Sequence, residues 1–348
     1  MTNASPNLAM TSAAKSKPEA LFSLSPSWQR AALIGRPGEL LLRLGLDPAL
    51  PALDYERLRH FPLRVPEAFV ARMHRGDPED PLFLQVWPGM AEGIDTPGFS
   101  EDAVGDLAKL TSGGVIHKYK GRALLIATGA CAVNCRYCFR RHFPYGDSLA
   151  SRGNWQEALE QVAADPSIEE VILSGGDPLS LNDDKLSALV RELESIPHVR
   201  RLRLHTRTAV VLPERVDAHL LDWLGRTRLQ KVIVLHVNHP NEIDQALEAA
   251  ITRLRGTGAT LLNQSVLLRK VNDSADILAT LSERLFACGV LPYYLHLLDR
   301  VQGAGHFEVN ENKAVKLMGE LAARLPGYLV PRLAREEPGA PAKTLLPW

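Results

Sequence analysis

Cys131, Cys135 and Cys138 fall within eight residues, in Cys131-Ala-Val-Asn-Cys135-Arg-Tyr-Cys138, and Cys288 is the one other cysteine of the 348-residue chain. Clustered thiolates are soft donors for a metal centre. Three of them can hold three irons of a 4Fe-4S cube and leave the fourth iron open, so that a small molecule binds there and reacts. With His142 four residues past Cys138, the same segment could instead supply the Cys3His set of a structural zinc site, although the usual zinc spacing brings a second pair from well downstream. Spacing alone does not choose between them. The context favours the open iron. Tyr137 directly precedes the third cysteine, where it can pack beside a ligand, and Arg140, Arg141 and His142 form a cationic flank suited to thiolates or a bound carboxylate.

Three other stretches could join such chemistry. In Ser174-Gly175-Gly176-Asp177 the glycines allow backbone to approach a ligand and the carboxylate can receive an ammonium, although Gly-Gly-Asp is also a common turn. Lys118 and Arg122 lie at i and i+4 and together could hold a phosphate; solvated surface charge is the plainer reading. Lys343, in Glu336-Glu-Pro-Gly-Ala-Pro-Ala-Lys343-Thr, reads first as an exposed lysine of a Pro/Gly-rich loop. A lysine presented on a tight turn is also what Schiff-base chemistry with pyridoxal phosphate (PLP) needs.

These residues need a frame. Beyond about residue 115, short β-prone runs alternate with amphipathic helical stretches at intervals of roughly 30 to 40 residues, the mark of repeated βα units and a parallel sheet. The predicted strands are Arg122-Ala-Leu-Leu-Ile-Ala-Thr, Val171-Ile-Leu, Arg201-Leu-Arg-Leu, Val232-Ile-Val-Leu, Thr260-Leu-Leu-Asn and Tyr293-Tyr-Leu-His-Leu-Leu. Helical patterns between them open at caps Asn154, Asn182 or Asp183, and Asn241. Six units make a partial barrel, and barrel enzymes gather their chemistry at the carboxyl ends of the strands. The first strand runs into the cysteines. The others end in Ser174 to Asp177, His205-Thr-Arg207, His236-Val-Asn-His239, Asn263-Gln264 and Asp299-Arg300. Any one of these is ordinarily structural; polar residues at all six ends, in phase with the cysteines, point to a site. The expected fold is therefore α/β, a partial (β/α)6 barrel over 116–305. An N-terminal helical extension covers 26–115, a C-terminal segment with Lys343 covers 306–348, and the small, polar residues 1–25 form a flexible tail.

Composition narrows the partners. Lys+Arg and Asp+Glu are both 40, so no global field draws nucleic acid or an anionic membrane. No stretch approaches the ~18 apolar residues of a membrane helix, and the start lacks a signal-like pattern, so a cytoplasmic location is expected. Few, clustered thiols fit a reducing compartment and metal ligation.

Cys131, Cys135, Tyr137 and Cys138 together resemble the Cys-x3-Cys-x-aromatic-Cys motif of the radical S-adenosylmethionine (SAM) enzymes. From about residue 60 onward the chain resembles the PLP-dependent branch of these enzymes, the lysine 2,3-aminomutase family. The resemblance rests on His117-Lys-Tyr-Lys-Gly-Arg122, the cysteine motif with Arg140-Arg141, Leu173-Ser-Gly-Gly-Asp177, Arg207-Thr-Ala-Val-Val-Leu-Pro213, Asn238-His-Pro-Asn-Glu242, Pro292-Tyr-Tyr-Leu, Gly305-His-Phe307 and Pro338-Gly-x3-Lys343-Thr. It is closest to the subgroup serving β-lysylation of elongation factor P, through Phe61-Pro-Leu-Arg-Val-Pro, Phe69-Val-Ala-Arg-Met, Cys131 to Tyr145 and Val330-Pro-Arg-Leu-Ala-Arg-Glu.

The resemblance implies a radical SAM barrel with a C-terminal PLP-anchoring segment, and a 4Fe-4S cluster, SAM and PLP as cofactors. It implies an isomerase that converts L-lysine to β-lysine by way of a 5′-deoxyadenosyl radical. By the same resemblance Cys131, Cys135 and Cys138 hold the cluster, Lys343 carries PLP, and Lys118 and Arg122 face its phosphate. Tyr137, Ser174, Gly175, Gly176, Asp177, His236 and Gln264 line SAM. Arg140 takes the substrate carboxylate, while Asp299 and Glu336 take the distal ammonium, since two carboxylates at one end select a distal cation. Family free-lysine mutases carry aspartate at Glu336 and arginine at Lys118. The implied partners are L-lysine and, functionally, elongation factor P with its lysyl ligase, with no direct nucleic acid and no membrane; a homo-oligomer is compatible with the sequence, which does not fix it. Two rivals stand beside this reading: a radical SAM enzyme without PLP, and a zinc-stabilised nucleic-acid module using Arg136, Arg140, Arg141 and His142. Zero net charge and a single basic stretch oppose the second.

Overall fold

Alternation along the predicted strands decides which way each side chain points. In Arg201-Leu-Arg-Leu-His, Leu202 and Leu204 join the main apolar core, whereas Arg203 and His205 face the opposite side of the sheet, where they line a cavity. The computed structural model of the chain describes Met1 and residues 33–48, 55–111, 113–145 and 155–348. The tail expected over 1–25 lies, Met1 apart, outside the described residues, as does the cap expected at Asn154.

A short antiparallel pair, β1 (Leu33–Ile34) and β2 (Val65–Pro66), precedes a nine-stranded sheet. The strands of that sheet are β3 (Val115–Tyr119), β4 (Arg122–Thr128), β5 (Glu170–Gly175), β6 (Arg201–Thr206), β7 (Gln230–Leu235), β8 (Thr260–Val266), β9 (Leu291–His296), β10 (Arg332–Arg335) and β11 (Thr344–Leu345). They lie side by side in chain order. Strands β4 to β10 run parallel to one another. The two edges, β3 and β11, run antiparallel to theirs. All six predicted strands are present, and sequence analysis missed both edges and β10.

Parallel neighbours need crossovers, and each is a helix: Gln156–Ala164, Asp183–Ser195, Ala218–Arg226, Gln245–Gly256, Ala275–Ala287 and Glu311–Arg324. Several open on side-chain caps, with Asn182 accepting from Lys185 N, Asp217 from Leu220 N, and Asn310 from Lys313 N. The cap expected at Asn241 moves three residues on. Asn241 belongs to a 3₁₀ turn, Pro240–Glu242, and Asp244 caps the helix by accepting from Leu247 N.

These helices bury the convex face of the sheet, with Leu125, Val171, Leu173, Leu202, Leu204 and Ile233 packed against Leu189, Leu220, Leu247 and Ile251. Among the described residues ahead of the sheet are four short helices, Pro37–Leu44, Tyr55–His60, Glu67–Val70 and Pro81–Leu84. Their core of Leu40, Leu41, Phe69, Leu82 and Phe83 takes in Ala132 and Val133, so this segment packs on the cysteine loop. Among the described residues no helix is long and apolar enough to cross a membrane.

Candidate active site

The concave face of the sheet encloses a cavity of about 440 Å³. Every residue that the family resemblance assigns to a cofactor or the substrate lines it: the three cysteines, Tyr137, Arg140, Ser174, Gly175, Gly176, Asp177, His236, Gln264, Lys118, Arg122, Asp299, Glu336 and Lys343; Arg136, Arg141 and His142 do not.

The cysteine loop leaves the end of β4 and is clamped from beneath. Arg136 is fully buried and grips both carboxylate oxygens of Glu92 at 2.6 Å; Arg141 reaches the same carboxylate at 2.5 Å. The Phe61 ring lies 4.7 Å and 4.9 Å from the two guanidiniums. Backbone bonds from Asn134 N to Arg64 O and Arg136 N to Gln85 O, both 2.9 Å, finish the attachment. The glycines at the end of β5 hold the other side. A Cβ on Gly176 would stand 2.4 Å from the Ala130 carbonyl oxygen, and Gly175, at φ +112°, would bring one 2.7 Å from that of Thr128. The Gly-Gly pair therefore serves close approach of the backbone leading into Cys131.

Burial raises the Cys131 thiol well above its ordinary value, aided by Asp177 and the two other cysteines, and pushes Cys138 up to about 11 with help from Cys135. Buried thiols raised in this way persist as thiolates beside added positive charge, which iron supplies; this donor set fits a cluster. The Cys3His alternative gains no support: the cavity that the three cysteines line does not include His142, whose Nε2 lies 3.1 Å from the Gln302 carbonyl oxygen.

Tyr137 is tied at its hydroxyl by Asn238 Nδ2 at 2.7 Å, and Asn238 also donates to Gln85 Oε1 at 3.0 Å. Gln85 and Arg207 both reach buried Glu242. Asp177 departs from its expected role as an ammonium receiver. Its carboxylate accepts from Leu179 N at 3.0 Å, Thr206 Oγ1 at 3.0 Å, Arg207 N at 2.6 Å and Thr208 N at 2.7 Å, which uses up its lone pairs inside the protein. It anchors the β6 turn instead.

Gln264 is turned inward by a register shift between Asn263 and Gln264 in the β8–β9 pairing. Burial keeps three imidazoles on this face neutral. It drives His236 down to about 3, with Arg207 adding to it, and His205 and His296 well below their ordinary value.

At the other end, Lys118 and Arg122 meet through a hairpin, Tyr119 opposite Arg122, and not through a helical turn. A register shift in β3 sends both Lys118 and Tyr119 to the cavity side. Arg122 stands 4.8 Å over the Tyr119 ring and makes no ion pair among the described residues. Lys118 and Arg140 both bind Asp106, a buried residue that no motif signalled. Glu336 accepts from Lys343 Nζ at 2.5 Å and from the Tyr119 hydroxyl. Tyr119 belongs to edge strand β3 and Glu336 directly follows β10, so this contact spans the open side of the sheet. Asp299, close by, is raised to about 7 by burial; Lys343 relieves part of this, and Glu336 and Asp106 add to it. The lysine, an unpaired arginine and a second lysine in one wall fit an aldehyde cofactor that carries a phosphate. Tyr119 could have been read from its place between Lys118 and Arg122. Asp106 carried no local signal.

The Radical SAM superfamily profile matches residues 125–275. An L-lysine 2,3-aminomutase of Escherichia coli (strain K12) is 49% identical over 319 residues, covering 91% of this chain and 93% of that one. An L-lysine 2,3-aminomutase of Haemophilus influenzae (strain ATCC 51907 / DSM 11121 / KW20 / Rd) is 50% identical over 300 residues, 85% of this chain and 89% of that one. Among solved structures, a radical SAM methyltransferase from Sphaerobacter thermophilus aligns with a TM-score of 0.46 and 20% identity, over 64% of this chain and 68% of its own. With half of its aligned residues shared along almost the full length of these relatives, and the cysteine motif in its expected place at the end of the first barrel strand, the chain belongs to the lysine 2,3-aminomutase family of radical SAM enzymes.

Proposed function

We propose that this protein is an L-lysine 2,3-aminomutase that converts L-lysine to β-lysine with a 4Fe-4S cluster, SAM and PLP. One observation carries the reading: the three thiols, Lys343 and the carboxylates of Asp299 and Glu336 line a single cavity. When bound, the cluster and SAM supply a 5′-deoxyadenosyl radical, and PLP supplies a conjugated ring able to steady an unpaired electron.

The chain's own residues bind and orient. Lys343 is the attachment point for PLP, and Arg122 with Lys118 takes its phosphate. Arg140 takes the α-carboxylate of lysine. Asp299 and Glu336 receive the distal ammonium. Glu336 already holds one primary ammonium, that of Lys343, which supports the assignment. Tyr137, Ser174, Gly175, Gly176, His236 and Gln264 face SAM, with Asp177 fixing the turn beside them. We take 116–305 as the radical-generating unit and 306–348 as the segment presenting Lys343. The work of the protein is to hold two cofactors and a substrate in reacting order while excluding water.

Anaerobic reconstitution with iron, sulfide, PLP and SAM, followed by chromatography of lysine incubations, tests the proposal. β-Lysine is the expected product, absent from a Lys343→Ala variant; an intact cluster that cleaves SAM without forming β-lysine rejects it. The likeness of Phe61 to Pro66 and Cys131 to Tyr145 to the elongation factor P subgroup further supports β-lysylation of that factor as the use of the product. The expected readout is a β-lysyl mass increase on elongation factor P when the product is supplied with its lysyl ligase; no increase would separate the product from that use.

A further inference from the structure

Asp106 stands in a loop ahead of β3 and lines the cavity, yet it lies outside the motifs read from the sequence. Its residue is 3% exposed, and its two carboxylate oxygens serve different cations. Oδ1 lies 2.5 Å from Lys118 Nζ; Oδ2 accepts from Arg140 Nε at 2.8 Å and Nη2 at 2.7 Å. The loop is braced to keep it there. Asp102 accepts from Asp106 N at 2.9 Å and Leu107 N at 3.0 Å, and Lys118 also donates to Val104 O at 2.7 Å.

The geometry has a direction. A guanidinium can grip a carboxylate in bidentate fashion along its Nε–Nη2 edge or its Nη1–Nη2 edge. Asp106 takes the first edge of Arg140; on the second, Nη1 donates to Ser174 Oγ at 3.1 Å and to the Gly175 carbonyl at 3.5 Å, with the Phe139 ring 4.8 Å away, so this is the edge that no protein carboxylate occupies and that a substrate carboxylate would take. The Lys118 ammonium is fixed by the other oxygen of the same carboxylate. The groups assigned to the phosphate and to the α-carboxylate are thus parts of one ion network with Asp106 at its centre.

We propose that Asp106 is a positioning residue that sets Lys118 and Arg140 relative to each other, so that the PLP phosphate and the lysine carboxylate are gripped at a fixed spacing. This rests on the assignment of those two anions above. The sign of the effect separates positioning from simple charge. Asp106→Asn removes a negative charge from between two anion sites, which on charge alone tightens both; loss of positioning weakens both.

The test compares wild type and Asp106→Asn holoenzyme for PLP affinity, by absorbance titration, and for lysine KM, with iron and sulfide content as the control for folding. Both constants are expected to rise about tenfold, the loss of one charge-assisted hydrogen bond at each site. Lys118→Ala should raise the PLP constant alone. An unchanged or tighter value for either constant in Asp106→Asn overturns the proposal. Should that variant fail to fold, Asp106→Glu keeps the charge but displaces both cations by one methylene; wild-type values for both constants would equally overturn it. Failure of the lysine assignment would show as absence of β-lysine from the wild type. The PLP titration stays readable in that case, and an unchanged constant there overturns the proposal by itself.

Discussion

Asp299 offers a titration that can be followed in the reaction itself. Its carboxyl is raised from 3.8 to about 7, chiefly by burial, with Glu336 and Asp106 adding to the cost of ionising it. A distal ammonium is held by the carboxylate and not by the acid. With a midpoint near 7, about one site in eleven is ionised at pH 6 and about ten in eleven at pH 8, a roughly tenfold gain. The acidic limb belongs in kcat/KM for lysine, which reports the free enzyme, because a bound ammonium pulls the carboxyl down again. The assay is the initial rate of β-lysine formation, measured anaerobically across that range. Norleucine, which lacks the distal amine, should show no such limb as a competitive inhibitor, and Asp299→Asn should remove the limb while lowering activity throughout. Stability has its own sign. A carboxyl raised in the folded state contributes stability that is fully present below its unfolded value and is lost as pH rises through about 7. Asp299→Asn should therefore raise the melting temperature more at pH 8 than at pH 5. A flat kcat/KM profile, or an equal limb for norleucine, would refute the reasoning.

Single replacements of Cys131, Cys135 or Cys138 by alanine should abolish the visible iron–sulfide absorbance and SAM cleavage, while Cys288→Ala should retain about four irons and four sulfides per chain. Gly176→Ala forces its Cβ against the Ala130 carbonyl and should cost about 1–3 kcal/mol together with much of the bound iron. Gly225→Ala, in a helix with nothing within 4 Å of the new Cβ, should stabilise by about 0.5–1 kcal/mol, both glycine variants being read by denaturant titration. Glu92→Gln leaves the buried guanidiniums of Arg136 and Arg141 without their carboxylate and should destabilise by about 3–5 kcal/mol, read by thermal or chemical unfolding.

The parallel strands were legible where apolar residues dominate, and Arg122–Thr128 appears with the bounds its sequence suggests. The edges were not. Val115–Tyr119 carries His117 and Lys118, Arg332–Arg335 begins and ends with arginine, and Thr344–Leu345 is two residues long, so none shows a strand's apolar pattern. The site was legible where a motif is contiguous, as in the cysteines and the Gly-Gly turn. Asp177 was misjudged because its donors come from the backbone of the next βα turn, which no spacing reveals. Asp106 escaped for the same reason: its partners Lys118 and Arg140 reach it through a hairpin and a loop. Local sequence records which groups are available, and tertiary contacts decide which of them already have partners.

The central claim is that radical generation at the cysteine loop and lysine chemistry at Lys343 share one cavity. Lysine deuterated at its β-carbon, incubated anaerobically with the reconstituted protein, PLP and SAM, tests it most directly. The account predicts deuterium in recovered 5′-deoxyadenosine and in the α-position of β-lysine. Unlabelled 5′-deoxyadenosine, formed while lysine is turned over or left untouched, would contradict it.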